Sequence, residues 1–191
     1  VVNRQVLIIV TGYPATGKTT LSRRLAEGTG LLLINKDAIK ERLADELGCE
    51  DIEASKKLGR ATYVILDYFL ESALQTGQSV IVESNFPAVF YTQKIRMLQE
   101  LYHFHVVQLL CKAEPETLVQ RMKQRVVTGE RHFAHKDGPY FETSAFRMGA
   151  VDGRIDPLAV EGELIEVDTT DFTSVDYDAL REWVRHSLVI G

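Results

Sequence analysis

Gly12-Tyr13-Pro14-Ala15-Thr16-Gly17-Lys18-Thr19 fits the pattern G-x-x-x-x-G-K-[ST], and its surroundings agree with that reading. Val6-Leu7-Ile8-Ile9-Val10 before it is a short β-rich apolar run, and Thr20-Leu21-Ser22-Arg23-Arg24-Leu25-Ala26 after it has helical spacing. A strand that runs through a tight turn into a helix points successive backbone N–H groups at one place, where the helix adds the positive end of its dipole. This is a phosphate site. Gly12 and Gly17 permit backbone angles and close approaches that a Cβ would block. Lys18 is expected to reach the β- and γ-phosphates of a nucleoside triphosphate, and the Thr19 hydroxyl to ligate Mg²⁺. Pro14, Ala15, Thr16 and Thr20 complete the expected ATP-binding loop. A glycine turn that binds nothing is the bland alternative, but a chance match with both flanking elements in place is rare.

Outward from the loop, apolar strands alternate with helical segments, the pattern of an α/β domain with a mostly parallel sheet. Leu31 to Ile34, Ser79 to Glu83, Phe104 to Cys111 and Leu164 to Val167 read as the further strands. Helices are expected over Ala38 to Leu47, Ile52 to Thr76, Ala88 to Leu101, a segment opening near Pro115 with Leu118 and Met122 on its apolar face, and a terminal segment carrying Tyr177, Leu180, Val184 and Leu188. For the long helix the spacing puts Leu58, Ile65, Phe69 and Ala73 on one stripe, widened by Val64, Leu66 and Tyr68. Val127 to Pro139 shows no periodicity and reads as a loop. In sheets of this kind ligands bind outside the carboxyl ends of the strands, which selects the phosphate loop, Asp37, Glu83 to Asn85 and the segment after Cys111.

The 191 residues suit one domain with a substantial core. A net charge of −5 disfavours nucleic acid as the main partner, although a local basic groove remains compatible with it. Cys49 and Cys111 form no metal or disulfide pattern, no apolar run approaches membrane-spanning length, and the N-terminus lacks a signal-peptide pattern. The start without Met suggests a processed or trimmed chain, and the expected compartment is the cytoplasm. Oligomeric state leaves no trace in the sequence.

The phosphate loop, Asn35-Lys36-Asp37-Ala38-Ile39-Lys40-Glu41, Leu118 to Arg125, Arg131 to Asp137 and Val167-Asp168-Thr169-Thr170 together resemble the P-loop kinases that phosphorylate small molecules or nucleic-acid ends. The branch most similar contains the AAA_33-type kinases, the chloramphenicol phosphotransferase and zeta-toxin-like proteins, and the kinase half of polynucleotide kinase. Many relatives carry a third loop glycine where this chain has Ala15, a change the loop is expected to tolerate. The resemblance implies a three-layer P-loop NTPase fold with a five-stranded parallel sheet of order 2-3-1-4-5, helices on both faces and a small lid over about residues 121–139, all within a single domain spanning 1–191. It further implies ATP and Mg²⁺ as cofactors and a small-molecule hydroxyl as acceptor. Within it, Asp37 would act as catalytic base; the alternative from the residues alone is a helix cap.

Glu83 stands where an acid would hold Mg²⁺ with Thr19, but Glu83, Ser84 and Asn85 are equally placed to line the acceptor pocket or merely to end a strand. Arg121 and Arg125, four apart, project from one helix face, and Arg131 follows. They are either solvated surface charges or, by resemblance, lid arginines that close over the triphosphate, Arg125 foremost. His132 and His135 lack a third metal ligand at suitable spacing, so a lid or acceptor contact is the better reading. Asp168 to Asp171 is expected to shape the adenine pocket by analogy with related folds. The expected activity is γ-phosphoryl transfer to a small-molecule alcohol. The alternatives are a polynucleotide 5′-hydroxyl kinase, which calls for a basic groove, and a nucleotide-binding regulatory ATPase, which would hydrolyse slowly without an acceptor.

Overall fold

The computed structural model describes residues 2–129, 131–135 and 155–190. Its core is a five-stranded parallel sheet built from β1 (Val6–Gly12), β2 (Leu32–Asn35), β3 (Val80–Glu83), β4 (His105–Lys112) and β5 (Glu163–Asp168), in the expected spatial order β2-β3-β1-β4-β5. Six α-helices among the described residues accompany it: α1 (Lys18–Thr29), α2 (Lys36–Leu47), α3 (Ile52–Gln75), α4 (Ala88–Tyr102), α5 (Pro115–Val127) and α6 (Tyr177–Ser187). A short antiparallel pairing of Val2–Asn3 with Val189–Ile190 joins the two ends of the described chain.

The apolar runs are continuous because both faces of the sheet are covered. Strand side chains alternate between faces. Leu7 and Ile9 of β1, with Val80 and Val82 of β3, pack among Leu66, Leu70 and Leu74 of α3 and Tyr91, Ile95 and Leu98 of α4. Val6, Ile8 and Val10, with Ile81, pack on the opposite face among Leu21 and Leu25 of α1 and Val184 of α6, where Tyr177, Leu180 and Leu188 join as expected. Every residue of β1 is buried, which fits its place at the centre of the sheet. Leu118 and Met122 of α5 pack with Tyr13 and Ala15, so that helix is seated directly against the phosphate loop.

Two expectations require correction. The buried stripe of α3 runs Ser55, Leu58, Thr62, Leu66, Leu70, Ala73 and Leu74, whereas Val64, Tyr68 and Phe69 are exposed and Ile65 is half-buried. Reading only apolar residues passed over Ser55 and Thr62, whose hydroxyls donate to Ala134 O and Leu58 O and are thereby compatible with burial. Helix α2 also begins two residues earlier than its apolar pattern suggests. Its N-cap is Asn35, whose Oδ1 accepts from Ala38 N at 2.7 Å, so Asp37 lies inside the first turn and does not cap it.

Candidate active site

β1 ends in the phosphate loop and α1 opens from it, with the whole turn at the carboxyl edge of the sheet. Gly12 has φ 150°, and a Cβ there would collide with the Cys111 carbonyl; Gly17 has φ 78°, with the Phe172 ring where its Cβ would be. Ala15 also has positive φ, 67°. An alanine in that region costs roughly 1–2 kcal/mol. Burial of its methyl beside Leu118 and Met122 offsets about 0.8 kcal/mol of this.

Lys18 is buried, and its Nζ donates to Tyr13 O at 2.9 Å. Burial pulls its pKa down, opposed first by Glu83 and more weakly by Asp37. Gly17, the N-cap residue of α1, has no side chain with which to cap it. A buried ammonium beside an uncapped helix N-terminus is an arrangement that a phosphate completes, supplying charge and acceptors together. Thr16 is buried behind the loop, its hydroxyl donating to Tyr13 O at 2.8 Å.

Glu83, buried at the end of β3, accepts from the Thr19 hydroxyl at 3.1 Å and from the Asn35 side-chain amide. Burial raises its pKa, against the pull of Lys18. Thr19 and Glu83 thus bring a hydroxyl and a carboxylate together at the foot of the loop. Such oxygen donors suit Mg²⁺, which takes few protein ligands and fills its shell with phosphate oxygens and water.

Asp37 lies across the cleft. Its carboxylate pairs with Lys36 Nζ at 3.0 Å and with Arg131 at 3.7 Å. Burial would raise its pKa, but Lys36 foremost, then His135 and Arg131, hold it well below the usual carboxylate range. The cleft enclosed by these elements has a volume of about 380 Å³. Pro14, Ala15, Gly17, Lys18, Thr19 and Thr20 line one part, while Asp37, Glu83, Arg125 and Arg131 complete it with Lys36, Lys40, Asn85, Met122 and His135.

Arg121 is not part of that wall. It donates to Ala15 O at 3.3 Å and to Thr169 O at 2.6 Å, and its guanidinium lies 4.0 Å from the centre of the Phe172 ring. Its guanidinium thus engages the phosphate loop, Thr169 and Phe172, while Arg125, one turn on, lines the cleft. Of the expected lid, 121–127 belongs to α5, 131–135 packs on α2 and α3, and 130 and 136–139 lie outside the described residues. His132 pairs with Asp45 and His135 with Glu41, each at 3.0 Å, and among the described residues no group of three or more His, Cys, Asp or Glu side chains is arranged to hold a metal.

Several participants were legible only as members of the motifs quoted above, without the roles they fill. Asn35 both caps α2 and holds Glu83, and buried Thr169 donates to Thr16 O at 2.6 Å and Lys112 O at 2.9 Å, tying the end of β5 to the loop. Lys36 and Lys40 were visible only as residues flanking Asp37; their spacing of four on a helix that starts at a strand end was the available clue.

The AAA_33 sequence profile, described as an AAA domain, matches residues 7–138. A protein of Pyrococcus furiosus provisionally named an adenylate kinase is 27% identical over 168 residues, covering 87% of this chain and 77% of its own. A crystal structure from Chloroflexus aurantiacus, provisionally named a kinase, is 38% identical, covers 98% of both chains and superposes with a TM-score of 0.86. Kti12 of Chaetomium thermophilum, solved with ADP-AlF3, matches at 17% identity over 96% of this chain and 100% of its own with a TM-score of 0.61, a likeness of fold alone.

Proposed function

The chain belongs to the AAA_33 family and has the P-loop kinase fold, and from that premise we propose that it is an ATP- and Mg²⁺-dependent kinase transferring the γ-phosphoryl group to a hydroxyl of a small-molecule acceptor. The observation that carries this reading is Asp37, a carboxylate kept ionised in the same cleft as Lys18 and Arg125. A phosphate acceptor is already a nucleophile and needs no base. An alcohol must be oriented and must lose a proton.

Backbone N–H groups of the loop and Lys18 hold the triphosphate, with Arg125 placed to stabilise charge that develops in transfer. Thr19 and Glu83 are the residues that would hold Mg²⁺, which when bound neutralises phosphate charge and fixes the oxygens. Asp37 accepts a hydrogen bond from the acceptor hydroxyl, whose oxygen attacks the γ-phosphorus as the bond to the β–γ bridging oxygen breaks. ADP leaves, and the proton passes to Asp37 and on to water. Lys36, His135 and Arg131 hold Asp37 ionised against the effect of burial, so it can orient the hydroxyl and accept its proton.

On an acceptor drawn from a metabolite pool, Asp37→Asn is expected to lower transfer by about a hundredfold or more, with ATP affinity close to that of the parent. Near-parental transfer by the Asn variant would remove Asp37 from the chemistry.

A further inference from the structure

The outer face of α3 carries its charges in an order that one copy of the chain does not satisfy. Lys57, Arg60, Val64, Tyr68 and Glu71 are all exposed and follow one another at intervals of three or four, so they form one row along the helix. The row is basic towards its start, apolar in the middle and acidic towards its end. Lys56 and Lys57 stand one turn before Arg60, and Asp67 one turn before Glu71. Like charges are therefore neighbours at both ends, which disfavours an isolated helix. Glu53 meets Lys56 and Lys94 meets Asp67. Arg60 has no acid three or four residues away and no ion pair among the described residues. Glu71 accepts from the neutral Tyr102 hydroxyl at 3.3 Å and, among the described residues, has no ion pair either.

Apolar surface lies between these two charges. Val64 and Tyr68 are 69% and 68% exposed. α4, tied to α3 through Lys94–Asp67 and Tyr102–Glu71, adds exposed Phe90, Met97 and Leu101, with Phe90 73% exposed. Large apolar side chains grouped in this way and rimmed by charge mark an interaction surface. With 24 and 15 residues, the two helices are about 36 and 22 Å long and each about 10 Å wide. The face they present is roughly 600 Å² in projection, close in scale to the about 800 Å² of accessible surface that a standard interface takes from each partner.

The charge order identifies the occupant. A basic, apolar and acidic row is complementary to itself when two copies run antiparallel, and a two-fold axis across the helix arranges them so. With the axis midway between Val64 and Tyr68, each Val64 faces the other copy's Tyr68, and each Arg60 faces the other copy's Glu71 to within one residue. We propose that the protein forms a two-fold symmetric dimer through α3 and α4, with Val64 and Tyr68 at its centre and an Arg60–Glu71 ion pair on either side. α2 leaves the carboxyl edge of the sheet and α3 leads back to the amino edge, where β3 begins. Antiparallel α3 helices thus place the two clefts at opposite ends of the dimer, and both stay open.

Sedimentation velocity of the full chain across the micromolar range tests the pairing. The parental protein should sediment as a dimer. Arg60→Glu and Glu71→Arg each set like charges against one another on both sides of the axis and should weaken the dimer by about tenfold or more. Combining the two in one chain exchanges the partners and should restore the dimer, which separates a lost ion pair from a damaged fold. A parental chain that stays monomeric throughout overturns the proposal, whether the face then takes up lipid vesicles, another protein or nothing. A dimer that neither single reversal weakens is held by a different face and overturns it equally. A dimer weakened by both reversals and not restored by their combination contradicts the antiparallel pairing of Arg60 with Glu71.

Discussion

Asn35 does two jobs from one side chain: its Oδ1 accepts from Ala38 N to start α2, and its Nδ2 donates to Glu83. Loss of such a cap costs about 1 kcal/mol, with a range of roughly 0.5–2 kcal/mol, and here Glu83 would also lose a donor while remaining buried. Asn35→Ala is therefore expected to destabilise by about 1–2 kcal/mol in urea unfolding. Asp37 is 40% exposed, so water screens its pairs with Lys36 and Arg131, and Asp37→Ala is expected to cost under about 1 kcal/mol. The reverse ranking would return the cap to Asp37. At this scale the sequence was most legible where backbone geometry dictates residue type. Gly12 and Gly17 are needed by their torsions and by the atoms crowding them, and Lys18 and Thr19 come with the loop. Asn35 was not legible, because a cap depends on where the helix begins, and a shift of two residues moves the role to a different side chain.

The elements were read from their periods, and the period-2 strands fared better than the longest helix. Alternation along β1 sends Leu7 and Ile9 to one core and Val6, Ile8 and Val10 to the other, so any apolar reading of the run finds the strand. On α3 the buried stripe includes two hydroxyl residues and the exposed face includes three large apolar ones, so hydrophobicity alone points to the wrong side. Only tertiary contacts decide it. Leu66 is fully buried and Phe69 is 50% exposed. Leu66→Ala should accordingly cost about 2–5 kcal/mol, whereas Phe69→Ala should fall within about 0.5–1 kcal/mol of the parent. Thermal or urea unfolding of the two variants checks the orientation of the helix, and a larger loss at Phe69 would rotate α3 away from the packing described here.

Across the whole molecule, net charge and local charge give opposite answers. The sum of −5 disfavours a nucleic-acid partner, yet the cleft at the carboxyl edge of the sheet is rich in lysine and arginine. Composition cannot reveal this, because Lys36, Lys40, Arg125 and Arg131 are brought to one place by α2, α5 and the segment after α5, which are far apart in the chain. The phosphate loop was legible from one contiguous motif; on the opposite wall of the cleft Asp37 and Glu83 to Asn85 were legible from their strand ends, whereas Lys36 and Lys40 were brought there by topology. Transfer to an alcohol is read from the product itself. The protein is incubated with ATP, Mg²⁺ and pooled hydroxyl metabolites, and mass spectrometry identifies what gains a phosphoryl group, with Lys18→Ala in parallel. A phosphate ester of a small alcohol is expected in step with ADP, and its loss in the Lys18 variant, which lacks the charge aimed at the β- and γ-phosphates. Phosphoryl transfer onto an existing phosphate, release of inorganic phosphate alone, or ester formation undiminished by Lys18→Ala would contradict it.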